Sequence, residues 1–344
     1  MNDARIKKLQ GQLLELDAYL IENPTDLLYL TGLVLSKGRL LVTRTEAALF
    51  VDGRYLEAAK QSAPCPAFGE KALVKALHPF KRIGFDSAFL SYDAFTELQR
   101  AYPYIEWAPL SNPLKILRLL KEPQEILALK KAAKLTWRGY QKILKGLKEG
   151  ISEAELSLTF EFFCRKEGAS GLSFEPIIAF GENSAFPHHR AGSTLLKKNQ
   201  IVLIDIGAIV DQYRADMTRV VFFGSPNPIL ASLDLLVKKA QRKAVAHIRP
   251  GIRFGELDEI VREEFRREKL EEFYTHSLGH GIGLDTHEYP RIKIDGEAKD
   301  LKLEPGMVFT IEPGLYQPGL GGSRYEDMVL VTEDGHENFY PQEP

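Results

Sequence analysis

The sequence predicts a mixed α/β (α+β) protein of two domains, a small N-terminal α/β domain and a larger domain that contains an internal repeat. The chain has 344 residues, and at roughly 100–200 residues per domain this length favours two domains. Hydrophobic residues make up 44% of the chain and charged residues 27%, which is enough apolar surface for a sizeable core. The order of the apolar segments along the chain indicates the fold class.

The first third of the chain alternates helical and strand patterns. Residues 4–21 carry apolar side chains at three- and four-residue steps, which predicts an amphipathic helix ending before Asn23-Pro24. Three short apolar runs are interleaved with helical segments and predict strands at 40–43, 47–51 and 83–85. This part of the chain shows no catalytic constellation.

A connecting segment divides the chain near residue 115. It runs from Asn112-Pro113 to Pro123, and proline at a first helical position is pre-organised for the long helix that we predict over 124–148. We therefore expect one domain over 1–115 and a second over 119–344.

The second domain contains a weak internal repeat. Gly150-Ile151 with Glu155-Leu156 recurs as Gly251-Ile252 with Glu256-Leu257. In each copy a helix is followed by two β-rich runs joined by a turn. The pattern predicts two similar halves, each with one hairpin.

Each predicted hairpin carries two carboxylates. Opposed residues of an antiparallel pair lie on one face of the sheet. A turn centred between residues 210 and 211 sets Asp205 opposite Asp216, and a turn through the glycine-rich segment sets Glu312 opposite Glu326. Their neighbours are apolar, and a buried ionised carboxylate is costly unless its charge is compensated.

Two divalent cations would compensate these four carboxylates. Any one of them alone is more easily explained as an edge or turn residue, but two opposed pairs are hard to explain as solvated surface. His280, between glycines that permit close approach, is the candidate for a further ligand. Oxygen-rich ligation with one imidazole favours manganese or cobalt, with zinc or iron as alternatives.

Composition excludes several classes of partner and location. The net charge of −2 includes no basic excess of the kind that nucleic acid or an anionic membrane would require. Cys65 and Cys164 cannot form a disulfide framework, and their spacing fits no metal site, so a reducing, cytoplasmic location is expected. The N-terminal segment resembles neither a signal peptide nor an anchor.

The motifs resemble those of the proline-specific metallopeptidases with the pita-bread (creatinase-type) fold, the Xaa-Pro aminopeptidases and Xaa-Pro dipeptidases (prolidases). The similarity is strong over about 119–344 and looser in the creatinase-like N-terminal domain. The matching runs are Pro187-His188, 205–207, 215–219, 276–284, His287-Glu288, 310–314 and 324–327 in the second domain, and Asn23-Pro24, 29–32 and 51–55 in the first.

The resemblance implies a set of site residues. Five would bind a pair of metal ions with a bridging water or hydroxide as the nucleophile: Asp205, Asp216, His280, Glu312 and Glu326. Glu312 would also act as general base, and His188 and His287 would contact the substrate and the tetrahedral intermediate.

Four residues near these motifs have alternative interpretations. His189 adjoins His188, and the motif favours His188. The glycines around His280 argue against a helix, so His276 is assigned to the surroundings of the metals and to substrate binding. Arg324 either orients Glu326 or binds substrate, or forms an ordinary strand ion pair. Arg291 binds a substrate carboxylate or is a surface residue.

These observations predict a metallopeptidase that cleaves short peptides between an N-terminal residue and proline. An Xaa-Pro aminopeptidase is the leading interpretation and an Xaa-Pro dipeptidase the alternative. A metal-free binding protein and a creatinase are disfavoured because all five ligand positions are filled, and the N-terminal domain disfavours a methionine aminopeptidase. The resemblance also implies a homodimer.

Overall fold

The structure is a computed structural model that describes residues 2–13 and 15–341. The chain forms two compact units, Met1–Arg118 and Leu119–Pro344. None of the described helices combines the length and apolar composition that a membrane crossing requires.

The first unit is built on a six-stranded sheet with strand order β4-β3-β2-β1-β5-β6. Its buried face is filled by aliphatic and aromatic side chains. The elements are α1 Asn2–Gln10, β1 Ala18–Ile21, α2 Pro24–Thr31, β2 Arg39–Thr43, β3 Ala47–Val51, α3 Leu56–Ser62, β4 Ala67–Gly69, α4 Leu73–Leu77, β5 Arg82–Asp86, α5 Tyr92–Ala101, β6 Glu106–Leu110 and α6 Lys115–Leu119.

The predicted strands at 40–43, 47–51 and 83–85 are confirmed as parts of β2, β3 and β5. The single helix predicted over 4–21 is wrong. The helix ends at Gln10, and residues 18–21 form β1, which pairs with β2 and β5 in the middle of the sheet. All four residues of β1 are buried, and a strand buried on both faces shows no alternation that would separate it from a helix.

Within residues 119–341, the second unit has four long helices and four sheets, ordered β11-β10-β7, β12-β9-β8, β14-β13-β15-β18-β19 and β16-β17. Its elements are α7 Pro123–Gly146, α8 Glu153–Lys166, β7 Gly171–Leu172, β8 Ile177–Phe180, β9 Gln200–Ile206, β10 Ala208–Val210, β11 Tyr213–Arg214, β12 Met217–Phe223, α9 Pro228–Ala246, α10 Phe254–Arg267, β13 Gly279–Gly281, β14 Glu288–Ile292, β15 Val308–Ile311, β16 Gly314–Gln317, β17 Gly321–Arg324, β18 Asp327–Val331 and β19 His336–Asn338.

The predicted repeat is visible in backbone geometry. Gly150 and Gly251 have positive φ values of 84° and 89°, a conformation that glycine adopts without steric cost. The Gly150 amide donates to Leu196 and the Gly251 amide to Leu303, just before α8 and α10 begin. The two halves therefore start their second helix in the same way.

Two large hydrophobic cores form in the described part of the second unit. One core joins α7 and α8 to β9 and β12, and the other joins α9 and α10 to β15 and β18. Ser152 and Glu155 form a capping box that begins α8. Strands β15 and β18 contribute side chains to both cores, so the second ligand-bearing hairpin lies between them.

Candidate metal centre and substrate cavity

A cavity of about 580 Å³ opens in the second unit. Every residue that the sequence assigns to metal, substrate or catalysis lies on its wall. The lining comprises Phe174, Glu175, Ile177, Pro187, His188, His189, Arg190, Asp205, Asp216, His276, Ser277, His280, Thr286, His287, Glu288, Arg291, Glu312, Arg324 and Glu326. The fold thus gathers assigned residues that are up to 138 positions apart in sequence, from His188 to Glu326.

The predicted register of the first hairpin is wrong by two residues. Asp205 pairs with Thr218 rather than with Asp216. The turn consists of Asp211 and Gln212, both with positive φ, so its centre lies one residue later than the sequence suggested. Two left-handed residues form the tight hairpin turn whose twist matches the strands. Asp216 precedes β12 and still lines the cavity.

The register of the second hairpin is as predicted. Ile311 pairs with Asp327 in the β15–β18 ladder, and Gly314 pairs with Arg324 in the β16–β17 ladder. Both pairs follow one register, which runs through a short interruption between the ladders. Glu312 and Glu326 lie in that interruption, between the two ladders.

Three predicted ligands converge closely. One ligand atom each from Asp216, His280 and Glu326 lies within 4.8 Å of the others. His280 Nε2 is 3.7 Å from Asp216 Oδ2 and 3.2 Å from Glu312 Oε1. His280 Nδ1 donates to the Gly281 carbonyl, so Nε2 is the nitrogen that faces the carboxylates. Without a cation, Nε2–H donates to Glu312, and this contact outweighs burial and raises the pKa of His280. A metal ion would take the place of that proton on Nε2.

Arg324 links two of the carboxylates. Its guanidinium is buried and donates to Asp205 Oδ2 at 2.5 Å, to Thr218 Oγ1 at 3.0 Å and to the Tyr316 hydroxyl at 2.6 Å. Thr218 Oγ1 in turn donates to Glu326 Oε2 at 2.7 Å. Each guanidinium nitrogen has a protein acceptor, so substrate binding by Arg324 stays a prediction.

Arg219 joins the two hairpins beneath the ligands. It is fully buried and donates to the Glu326 carbonyl and to Asp327 Oδ1, both at 2.6 Å. Its guanidinium also lies over the Tyr325 ring, 4.2 Å from the centroid. Sequence patterns did not single out Arg219, Thr218 or Tyr316 as supporting residues. Thr218 and Arg219 lie in the matching run 215–219 beside Asp216, whereas Tyr316 lies in none of the matching runs.

Burial perturbs the ionisation of the carboxylates. It raises the pKa of Asp216 and of Glu326 well above their usual range, and neighbouring carboxylates add to the effect. Burial also raises the pKa of Asp205, although Arg324 opposes it. Glu312 differs, because the His280 hydrogen bond and nearby positive charge outweigh its burial and lower its pKa to about 2.

The residues present fit divalent metal ions. Among the described residues, Asp205 Oδ1 and Glu326 Oε1 are buried without a hydrogen-bond partner. Buried carboxylate oxygens ordinarily have partners, and these two face a cluster of like charge. Cations compensate this charge and accept these lone pairs, and four carboxylates with one imidazole form a donor set typical of oxygen-preferring metals.

Metal affinity should rise with pH. Asp216 and Glu326 have raised pKa values and must lose protons when a cation binds, so affinity is expected to increase by about tenfold per pH unit for each proton displaced. The folded, metal-free protein binds more protons than the unfolded chain. Its stability should therefore fall as pH rises from the ordinary carboxyl range towards these raised values.

Manganese titration across about pH 5 to 8, with thermal unfolding of the chelated protein in the same buffers, tests both trends. An affinity that does not change over this range would contradict the predicted proton release.

His276 has protein partners at both ring nitrogens. Nδ1 donates to the Ser277 carbonyl at 2.8 Å, so Nε2 accepts the Tyr316 hydroxyl at 2.9 Å. Burial lowers the pKa of His276, which favours this neutral form. The ring lines the cavity, and its assignment to substrate binding stays a prediction.

His188 and His287 are exposed on the cavity wall. The ring of His188 has no hydrogen-bond partner among the described residues, whereas His189 contacts Glu153. The rings of His287 and His280 lie 4.3 Å apart, centroid to centroid. Partial burial of the ring and the positive charge of the neighbouring His280 both lower the pKa of His287. The lowered pKa favours a neutral ring.

Arg291 lies on β14 directly opposite His280 on β13. It is exposed, it lines the cavity, and among the described residues it has no ion-pair partner. Arg190 is similarly exposed on the same wall. The cavity therefore has two cations available beside the predicted metal ligands.

Family comparisons agree with this geometry. The sequence model of metallopeptidase family M24 matches residues 128–333, and the creatinase/prolidase N-terminal domain matches residues 5–120. The chain belongs to metallopeptidase family M24. The predicted resemblance and fold class are thereby confirmed, and the protein is a metal-dependent peptidase of the pita-bread fold.

Members of the family with assigned activities are similar over nearly the whole chain. An Xaa-Pro dipeptidase from Pyrococcus horikoshii is 34% identical over 324 residues, covering 93% of this chain and 91% of the relative. A solved Xaa-Pro dipeptidase from Bacillus anthracis has a TM-score of 0.95 at 32% identity, covering 100% and 99% of the two chains. A solved X-Pro aminopeptidase from Thermotoga maritima has a TM-score of 0.88 at 31% identity, covering 97% and 98%.

Proposed function

We propose that this family M24 peptidase is an Xaa-Pro dipeptidase, which hydrolyses dipeptides whose second residue is proline. The observation that carries the proposal is Arg291, an exposed cation without an ion-pair partner among the described residues, opposite His280 on the cavity wall. The names of the relatives from P. horikoshii and B. anthracis support the same choice. This reverses the order of the sequence analysis, which ranked the aminopeptidase first.

The charge of the substrate explains why Arg291 matters. A dipeptide ends in a proline carboxylate beside the scissile bond, whereas a longer peptide has a neutral amide there. Arginine binds carboxylates through two parallel N–H donors. A cation available at this wall therefore favours the shorter substrate.

We assign the metal ligands as the sequence predicted them, with two divalent ions held by Asp205, Asp216, His280, Glu312 and Glu326. Bound ions lower the pKa of water and polarise the scissile carbonyl, which makes hydrolysis feasible at neutral pH. Manganese is the proposed metal because the donors are mainly oxygens. Metal analysis of the purified protein tests both the number and the identity of the ions.

The protein side chains provide proton transfer and orientation. Glu312 lines the cavity beside His280, and its carboxylate would accept a proton from the attacking water and pass it towards the proline nitrogen. His188 and His287 would hydrogen-bond the peptide and the oxygen on which negative charge develops. Arg324 holds Asp205 in place through a direct ion pair.

An Xaa-Pro aminopeptidase is the second candidate, since the similar T. maritima structure bears that name. Hydrolysis of Ala-Pro and Ala-Pro-Ala with added manganese separates the two activities. A dipeptidase should cleave Ala-Pro with the higher kcat/KM. Preference for Ala-Pro-Ala would assign the protein to the aminopeptidases.

Arg291→Ala should weaken Ala-Pro hydrolysis by about 1.5–3 kcal/mol in kcat/KM, the scale of a hydrogen bond to a charged group. Ala-Pro-Ala hydrolysis should change much less. Arg190→Ala is the matched control, because Arg190 is an exposed arginine on the same wall. Equal losses for both substrates in Arg291→Ala, or a dipeptide-selective loss only in Arg190→Ala, would remove Arg291 from this role.

The expected homodimer and cytoplasmic location remain predictions. Sedimentation equilibrium of the purified protein tests the dimer, and cell fractionation tests the location.

A further inference from the structure

His188 lies in a loop of residues 184–192. The side chain of Glu153 forms hydrogen bonds at both ends of this loop. Glu153 is the first residue of α8 and is fully buried. Its Oε1 accepts hydrogen bonds from the Phe180 amide at 2.9 Å and from Asn183 Nδ2 at 2.8 Å. Both donors precede His188, so this oxygen fixes the segment that enters the loop.

The second oxygen of the same carboxylate fastens the other end. Glu153 Oε2 accepts from His189 Nε2 at 2.9 Å and from the Gly192 amide at 3.1 Å. Both donors follow His188 within four positions. The loop therefore leaves His188 between two attachment points on one buried group.

Backbone contacts hold the carboxylate itself in place. The Glu153 amide donates to the Thr194 carbonyl at 3.1 Å, and the Ala154 amide donates to the Gly192 carbonyl at 3.0 Å. The start of α8 and the end of the loop are thus joined by main chain as well as by the side chain. A buried carboxyl group is tolerated when its oxygens have hydrogen-bond partners, and here two donors serve each oxygen.

His188 has no comparable support of its own. Its ring is exposed and has no hydrogen-bond partner among the described residues. Its location relative to the predicted metal ligands is therefore set by the backbone on either side of it, and that backbone is held by Glu153.

We propose that Glu153, together with His189, is a positioning residue that holds His188 at the substrate cavity. The inference rests on the proposed function, in which His188 contacts the substrate and the developing negative charge. A displacement of about 1 Å in a contacting group can cost about 100-fold in rate. Loosening the loop should therefore reduce turnover without removing a ligand from the metal centre.

Glu153→Gln tests the proposal, because the side-chain NH₂ group of glutamine cannot accept the two hydrogen bonds that the corresponding carboxylate oxygen accepts. In the metal-loaded enzyme we expect kcat for Ala-Pro to fall by about 10–100-fold, with metal content unchanged. Glu161→Gln is the matched control. It lies on the same helix, its side chain is half-exposed, and its kcat should equal that of the wild type.

A double-mutant cycle with His188→Ala separates positioning from general damage. If Glu153 acts through His188, Glu153→Gln should have almost no further effect on kcat once His188 is alanine. If the loss is the same in both backgrounds, the positioning role is overturned. A His188→Ala enzyme with wild-type kcat would instead refute the role of His188 in the proposed function.

His189 provides a second route should Glu153→Gln fail to fold. His189→Phe removes one donor to Glu153 and should lower kcat by about tenfold, whereas His189→Gln supplies an amide donor and should restore most of it. Equal kcat values for these two variants would overturn the proposal.

Discussion

Asp216→Asn should abolish peptide hydrolysis, lowering kcat/KM by more than about 10³-fold, a larger loss than removal of a single oxyanion donor causes. Asp216 lies in the cluster with His280 and Glu326, whose ligand atoms converge within 4.8 Å. Asparagine keeps the shape but removes one of the charges that a cation requires. Metal content, measured by mass spectrometry after dialysis, should fall together with activity.

The fold should survive this substitution. Burial and the neighbouring carboxylates Glu326 and Asp205 raise the pKa of Asp216, so its ionised form opposes folding when no metal is bound. A neutral side chain removes that repulsion. The metal-free variant should therefore unfold at a denaturant concentration no lower than that of the metal-free wild type.

Asp258→Asn is the control with the opposite expected pattern. Asp258 is fully buried outside the cavity and accepts hydrogen bonds from Tyr274 and the Ile294 amide. Its replacement should cost about 1–3 kcal/mol of unfolding free energy and leave metal content intact.

Full peptidase activity in a thoroughly chelated sample would refute the metal-dependent mechanism.

His287→Ala should lower kcat by about 10²–10³-fold while the metals stay bound, the scale of losing one group that stabilises developing charge. His287 is exposed on the cavity wall, and its ring lies 4.3 Å from that of His280. Its lowered pKa favours a neutral N–H donor at neutral pH. His188→Ala should behave similarly, because His188 also lines the cavity.

His247→Ala is the control for both histidines. His247 lies at the end of α9 and its Nδ1 donates to the Lys243 carbonyl, outside the cavity lining. The kcat of the His247→Ala variant should match that of the wild type. Loss of metal from His287→Ala equal to that from Asp216→Asn would reassign His287 as a ligand, and an unchanged kcat would remove it from the reaction.

Residue types and their order along the chain were sufficient to predict the family and to name five candidate ligands, which line one cavity. Pairs of carboxylates in apolar strands have few uses other than metal binding, because an uncompensated buried charge is costly. The second hairpin could also be aligned, since its ladders keep one register on both sides of Glu312 and Glu326. Repeated glycines before α8 and α10 predicted the two similar halves.

Tertiary structure decided what depends on exact backbone geometry. Asp211 and Gln212 both have positive φ and form the turn of the first hairpin. The strand pairing therefore differs by two positions from the predicted register, and the residue types alone did not specify this turn. In the first unit, packing in the middle of the sheet made residues 18–21 a strand, although their spacing continued a helical pattern. Local periodicity cannot separate these alternatives when all side chains are buried.

Contacts between distant segments were also beyond the sequence. Arg324 reaches Asp205 directly and Glu326 only through Thr218, and Glu153 reaches both ends of the His188 loop. Arg324 and its partners become neighbours only when the two halves pack together, whereas Glu153 meets the His188 loop within one half, across 27 to 39 positions. The sequence by itself thus determined which chemistry this protein carries, whereas folding determined which groups hold it in place, because hydrogen bonds require positions that residue order does not specify.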